Sequence, residues 1–181
     1  MGKLTLRADV AIGSLEKSHA ADMLAWMQDS EISANIGLTR SPTMEATEAW
    51  IASALSGTST WPYAIFHAGA HVGNVVLDQR DTHLGSARLS VYVGPATSRG
   101  RGVGVTGMYL ALRDAFASRG LHKVWLTVHA RNSRAISAYT RLGFEVEGVL
   151  RDGFLLAGER VPALYMGLLR GDFLALQTET V

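Results

Sequence analysis

The 181-residue chain contains no cysteine. That excludes disulfides, thiolate metal ligands and a cysteine nucleophile. No apolar run approaches the roughly 18 residues a membrane-spanning helix needs. Met1 to Leu15 has no long apolar core behind a basic start, so no secretory leader is expected. The reading is a soluble, cytoplasmic protein with no membrane partner. Net charge is nearly absent as well: 17 Lys and Arg against 16 Asp and Glu leave +1. A nucleic-acid binder is usually distinctly basic, so no nucleic-acid partner is expected. Arginine outnumbers lysine 14 to 3, a compositional bias rather than a basic site. No Gly-Lys-Ser or Gly-Lys-Thr occurs, so the Walker phosphate loop is missing. His19, His67, His71, His122 and His129 fit no metal-ligand spacing, and no metal is expected. Repeats, low-complexity tracts and interdomain linkers are absent too.

What is present is enough apolar material for a sizeable core. Hydrophobic residues make up 48% of the chain, and the charged fraction of 18% is low for a disordered one. The length suits a single domain over residues 1–181. Strands are expected at Val10–Leu15, Pro62–His67, His71–Asp78, Ser86–Val93 and Lys123–His129, then Glu145–Phe154 and Arg160–Leu169. The second and third form a hairpin around Ala68-Gly69-Ala70, and the last two turn at Gly158. Helical spacing is read at Lys17–Met27, Thr43–Leu55 and Val103–Arg119. Gln28–Ser41 reads as polar and irregular. The pattern is α/β with a mixed sheet.

The most informative stretch is Arg99-Gly100-Arg101-Gly102-Val103-Gly104, between the strand ending at Val93 and the helix starting at Val103. The first turn of a helix has unpaired N–H groups and partial positive charge. Glycines let the backbone approach a phosphate, and two arginines add charge. A pyrophosphate-bearing ligand is therefore expected. A hydride-transfer site is weakly supported, because the dinucleotide fingerprint follows the first strand and has an acidic residue about 20 positions on. Here the glycines lie past the middle of the chain, and Lys123–His129 does not end in an acid.

A second stretch runs from Asn132 to Phe144. Asn132 or Ser133 can cap a helix, Ala135, Ile136, Tyr139 and Leu142 recur at helical spacing, and Gly143 can end it. Together the two stretches resemble the GNAT superfamily of acyl-CoA-dependent N-acetyltransferases. Arg99-x-x-Gly102-x-Gly104 is similar to that family's [QR]-x-x-G-x-[GA] signature. Asn132…Ala135-Ile136…Tyr139…Leu142-Gly143-Phe144 is similar to its second block, in the same order and separation. Glu147-Gly148-Val149-Leu150-Arg151-Asp152 resembles the RimJ/RimL-like branch. The resemblance spans roughly residues 10 to 170.

The resemblance implies a mixed, mostly antiparallel central sheet flanked by helices, with the fourth and fifth strands splayed apart. It implies acetyl-CoA as donor, with its pantetheine arm beside Val91, Tyr92 and Val93. The pyrophosphate would lie on Arg99, Gly100, Arg101, Gly102, Val103 and Gly104, with Asn132, Ser133 and Tyr139 completing the cofactor site. The implied reaction is direct transfer to an amine, which needs a neutral amine, donors for the oxyanion and a proton for the departing thiolate. Tyr139 is the implied general acid, since a phenol with a reference pKa of about 10 stays protonated at neutral pH. A backbone N–H of Tyr92 or Val93 is the implied oxyanion donor. Many relatives begin the fourth strand with Ala-Glu; here the pair is Ala87-Arg88. That leaves Asp78, Asp81, His83 or a water chain as the base, and Arg88 either faces solvent or meets an anionic substrate. Asp29, Glu31 and Asn35 could meet a cationic amine. The acceptor is read as a small-molecule primary amine of the amino-sugar or polyamine type. Alternatives are a protein N-terminus or antibiotic amine, or a non-catalytic acyl-CoA sensor. Relatives are often dimers, so a homodimer is an expectation.

Overall fold

A computed structural model describes residues 4–38 and 40–178, without the side chains of 177 and 178. Strand β1 (Val10–Ser14) is followed by a helical turn and helix α1 (Ala20–Met27). Helices α2 (Ser30–Asn35) and α3 (Met44–Ser56) come next. Strands β2 (Trp61–His67), β3 (Ala70–Asp81) and β4 (Ser86–Val93) form a meander. Helix α4 (Val103–Arg113) continues into a wider turn at Asp114–Ser118. Then come β5 (Lys123–His129), α5 (Ser133–Arg141), β6 (Glu145–Leu156), β7 (Glu159–Leu169) and α6 (Arg170–Thr178).

The strands form one seven-stranded sheet in the order β1-β2-β3-β4-β5-β7-β6. Every pairing is antiparallel except that of β4 with β5. The mixed, mostly antiparallel sheet expected from the sequence is thus the one found. Two elements differ from expectation. Gln28–Ser41 is not wholly irregular: Asp29 accepts a bond from Glu31 N–H at 2.8 Å and starts α2. A six-residue helix is too short to show periodicity in the sequence. The chain also continues past Leu169 into α6, whose Phe173 is buried against Tyr109 and Phe116.

Strand alternation sends successive side chains to opposite faces. Ile65 joins the larger core with Met108, Leu112 and Phe116 of the α4 segment. Its neighbour Ala64 joins the smaller one with Leu15, Met23 and Ile51. Hence α4, α5 and α6 cover one face, and α1 and α3 the other. Both hairpin turns carry left-handed residues, Ala68-Gly69 and Ala157-Gly158, as two-residue turns require. Leu112 is fully buried, and truncating such a side chain to Ala costs about 2–5 kcal/mol.

The feature that positions the site is a failure of pairing. β4 and β5 bond only from Ser86–Lys123 to Arg88–Trp125. Beyond Arg88 they diverge, although β4 stays paired with β3 as far as Val93.

Candidate active site

The gap between β4 and β5 is a groove of about 230 Å³. Val91, Tyr92 and Val93 line one side, and Thr127 and Val128 the other. Alternation decides which main-chain groups face it. Gly94 N–H bonds Val72 C=O on β3, so Tyr92, two residues back, also turns its main chain to β3. Those of Val91 and Val93 face the gap. Of the two amides read as oxyanion donors, Val93 is therefore the one the strand aims there. Tyr92 enters through its side chain instead. Its hydroxyl accepts a bond from Asn74 Nδ2 at 2.7 Å, and burial pushes its pKa up to about 12.

The glycine-rich turn closes one end of the groove, which Gly100, Gly102 and Gly104 line. Gly100 and Gly102 have φ of +73° and +81°, a conformation L side chains rarely adopt. The first bond of α4 runs from Thr106 N–H to Gly102 C=O. The amides of Val103, Gly104 and Val105 therefore lie in the part of a helix that has no internal acceptor. A Cβ at Gly100 would meet nothing within 4 Å, one at Gly102 would meet only the Arg7 side chain at 3.8 Å, and one at Gly104 only Val93 Cγ2 at 3.3 Å. These residues fit a phosphate-bearing ligand.

Arg99 lines the groove but is already engaged. It donates to Asp29 Oδ2 at 2.7 Å and Glu31 Oε2 at 2.9 Å, and to the carbonyls of Val93 and Gly94. Its bond to Asp29 holds that carboxyl below its ordinary range. The acids that the sequence offered to an amine thus face Arg99. Asp29 lines neither cavity, and Glu31 lines the groove. Arg99 ties the end of β4 to α2, which lies across the groove. Arg99→Ala removes these ion pairs, whose carboxylates are exposed and solvent-screened, and leaves two carboxylates beside the glycine turn. Acetyl-CoA binding is expected to weaken at least about tenfold, read by calorimetry; unchanged affinity would show that the tie does not matter.

The other end of α2 is tied too. Asn35 Oδ1 receives Asn132 Nδ2 at 3.2 Å and lies 2.8 Å from His129 Nε2. An amide oxygen only accepts, so His129 Nε2 carries the proton; burial lowers the His129 pKa. Asn132 Oδ1 meanwhile caps α5 by accepting Ala135 N–H at 3.0 Å. Gly143, with φ +90°, ends that helix as its position suggested. With both ends set, α5 buries Tyr139 against Phe144. Tyr139 lines the groove. Its hydroxyl has no hydrogen-bond partner among the described residues, and burial pushes its pKa up to about 12.

A second cavity, of about 550 Å³, lies on the α1/α3 side of β4. That is within the range of small-molecule sites. It shares Asn35, Ile36, Val91, Tyr92, Thr127 and Tyr139 with the groove, so the two meet at the tyrosines. Arg88 and Asp78 line it and are paired, Arg88 Nε to Asp78 Oδ1 at 2.8 Å and Nη2 to Oδ2 at 2.7 Å. Arg88 thus faces the cavity with its charge matched. Asp81 ends β3 and holds the turn that follows by accepting His83 and Leu84 N–H, and neither it nor His83 lines either cavity.

Arg101, Val103 and Ser133 are also outside the lining: Arg101 is exposed and Val103 wholly buried. Asn35, offered by the sequence to a cationic amine, lines the groove; reasoning from sequence missed Met108, Thr127, Arg134 and Arg141, which line it too. Only the two arginines carried a signal. They are seven residues apart within the second block, about two helical turns, hence on one face of α5. No group of three or more acidic or histidine side chains among the described residues could hold a metal. No described helix is long and apolar enough to cross a membrane.

A family model described as an acetyltransferase (GNAT) domain matches residues 10–145. The spermidine N(1)-acetyltransferase of Escherichia coli strain K12 is 32% identical over 89 residues, 49% of this chain and 47% of that protein. The Vibrio cholerae protein of the same name is 30% identical over 89 residues, 49% and 51%. The chain thus spans about half the length of the curated relatives it matches. Among solved structures, spermidine N-acetyltransferase from Vibrio cholerae with CoA and spermine superposes with a TM-score of 0.87 at 20% identity. The match covers 93% of this chain and 99% of that one. Mycobacterium smegmatis RimJ with CoA-disulfide gives 0.80 at 16% identity, covering 93% and 89%. At these identities the likeness to the solved structures is one of fold.

Proposed function

Because the chain belongs to the GNAT acetyltransferase family, we propose that it moves an acetyl group from acetyl-CoA directly to a primary amine of a small molecule. The observation that carries this reading is the meeting of two cavities at Tyr92 and Tyr139. One opens toward a glycine cradle at a helix N-terminus, and the other is large enough for an acceptor. Acetyl-CoA supplies the activated acyl group and a thiolate leaving group.

The protein's own groups then have definable roles. The α4 N-terminus with Gly100, Gly102 and Gly104 receives phosphate. The gap-facing main chain of Val91 pairs with an amide-bearing arm, as an added strand would. Val93 N–H is placed to donate to the oxyanion. Tyr139 holds a proton at its hydroxyl and releases it to the departing sulfur. No carboxylate other than Asp78 lines the acceptor cavity among the described residues, and Arg88 occupies both its oxygens. Deprotonation of the amine is therefore assigned to water in the cavity. The names of the curated relatives support a polyamine among small amines.

Free-thiol release from acetyl-CoA against a panel of amino-sugars, polyamines, aminoglycosides and peptides tests the reading. Turnover with a small amine is the expected result. Acetyl-CoA binding without turnover of any amine would favour a sensing module.

A further inference from the structure

The floor of the acceptor cavity carries polar groups at a regular interval. β3 and β4 pair there so that Tyr92 lies beside Asn74, Ser90 beside Val76 and Arg88 beside Asp78. These pairs share one face of the sheet. Same-face residues on a strand are about 7 Å apart, so Ser90 is one step from Tyr92 and Arg88 two, roughly 13 Å. Tyr92, Ser90, Arg88 and Asp78 all line the cavity, and Asp78 is its only acid among the described residues. Arg88 donates once to each oxygen of Asp78. A carboxylate has about four lone-pair sites, so each oxygen keeps one. Aromatic faces attract a cation, and Trp50 and Phe154 also line the cavity.

We infer that the acceptor is a linear polyamine laid along β4, with its reacting primary amine at the tyrosine junction, an inner ammonium over Ser90 and its distal ammonium on Asp78. The inference rests on the acetyltransferase reading above and assigns the residues that read the substrate's length. Nine bonds of about 1.5 Å, in a zigzag, set the terminal nitrogens of spermidine roughly 11 Å apart. A charge-assisted hydrogen bond of about 2.8 Å to the carboxylate extends that reach to the length of the floor. The inner nitrogen falls four or five bonds from an end, about 5–6 Å, close to the single step from Tyr92 to Ser90. An ammonium on a free lone pair of Asp78 lies nearer the carboxylate than the guanidinium, so attraction prevails while Arg88 stays in place. Arg88 thus weakens the anchor without removing it. A diamine of five bonds stops short of Asp78 and leaves its second charge without a carboxylate. Asp78 is here a specificity residue, too far from the reacting nitrogen to take its proton.

The test is steady-state thiol release from acetyl-CoA with spermidine, diaminooctane, putrescine and octylamine. The comparison of lengths needs no variant. The wild type is expected to favour spermidine and diaminooctane over putrescine in kcat/KM by at least about tenfold. Arg88→Gln and the double variant Asp78→Asn/Arg88→Gln differ only in the charge of Asp78. Between them kcat/KM for spermidine and diaminooctane should fall by about tenfold or more, with octylamine unchanged. Ser90→Ala should lower spermidine and spare diaminooctane, which has no inner nitrogen. Melting temperature is the control for folding. An equal fall with octylamine would make Asp78 a base or a structural residue and overturn the inference. So would equal spermidine values in the two Arg88 variants, or a wild type that prefers putrescine. An unchanged ratio of spermidine to diaminooctane in Ser90→Ala overturns the placement of the inner nitrogen. All of these leave the acetyltransferase reading standing. No release with any amine overturns that reading, and the inference falls with it.

Discussion

Replacing Tyr139 by phenylalanine is expected to lower kcat by about 10²–10⁴-fold, the range of a lost general acid. Acetyl-CoA affinity should be little changed. The substitution removes one oxygen that bonds no described protein group, and the ring keeps its packing on Phe144. The fold should therefore be unaffected, and melting temperature is the control. The pH dependence gives a second check. Burial raises the Tyr139 pKa to about 12, so the acid form is kept, not lost, as pH rises through the assay range. Wild-type kcat should show no alkaline fall from this group below about pH 10. The acidic limb should follow deprotonation of the acceptor amine, with kcat/KM rising as pH rises. Steady-state kinetics of both proteins across that range read these outcomes. Full turnover by Tyr139→Phe would remove the tyrosine from its acid role.

A carboxylate in the glycine cradle should abolish cofactor binding. Gly102→Asp combines two effects. Its φ of +81° strains any side chain, at about 1–3 kcal/mol. It also sets an anion where the phosphate belongs. Gly104→Asp separates them, because Gly104 has no positive φ and its Cβ would meet only Val93 Cγ2, at 3.3 Å. Losing two charge-assisted bonds at about 1.5–3 kcal/mol each predicts a fall in acetyl-CoA affinity of 100-fold or more. Gly104→Ala adds the same Cβ without the charge and should bind far better than Gly104→Asp. Calorimetry on folded variants measures all three. Normal affinity in either aspartate variant would move the phosphate site elsewhere.

What could be read from the chain follows the range of the interactions. The strand–turn–helix around Gly102 and the cap-to-cap helix from Asn132 to Gly143 are set by contacts within a few residues. Caps, left-handed glycines and helical spacing write those directly into the sequence. The hairpin turns were legible for the same reason. Helix α2 was not: six residues started by Asp29 leave too little periodicity. Its place across the groove depends on Arg99, about 70 positions on, and on His129 and Asn132, nearly 100 on.

The candidate site divides in the same way. Tyr139, the glycine cradle and the splayed strand pair were expected from local pattern and family likeness, and they line the groove. The pairing of Arg99 with Asp29 and Glu31 depends on how the loop after α1 folds over the end of β4. The pairing of Arg88 with Asp78 depends on strand register, which a shift of one residue would reverse. By itself the sequence determined the kinds of element, the helix ends and the two motif blocks, because near-neighbour physics decides them. Only the tertiary structure decided which charges are already matched and which walls enclose the acceptor, because those contacts join segments far apart in the chain.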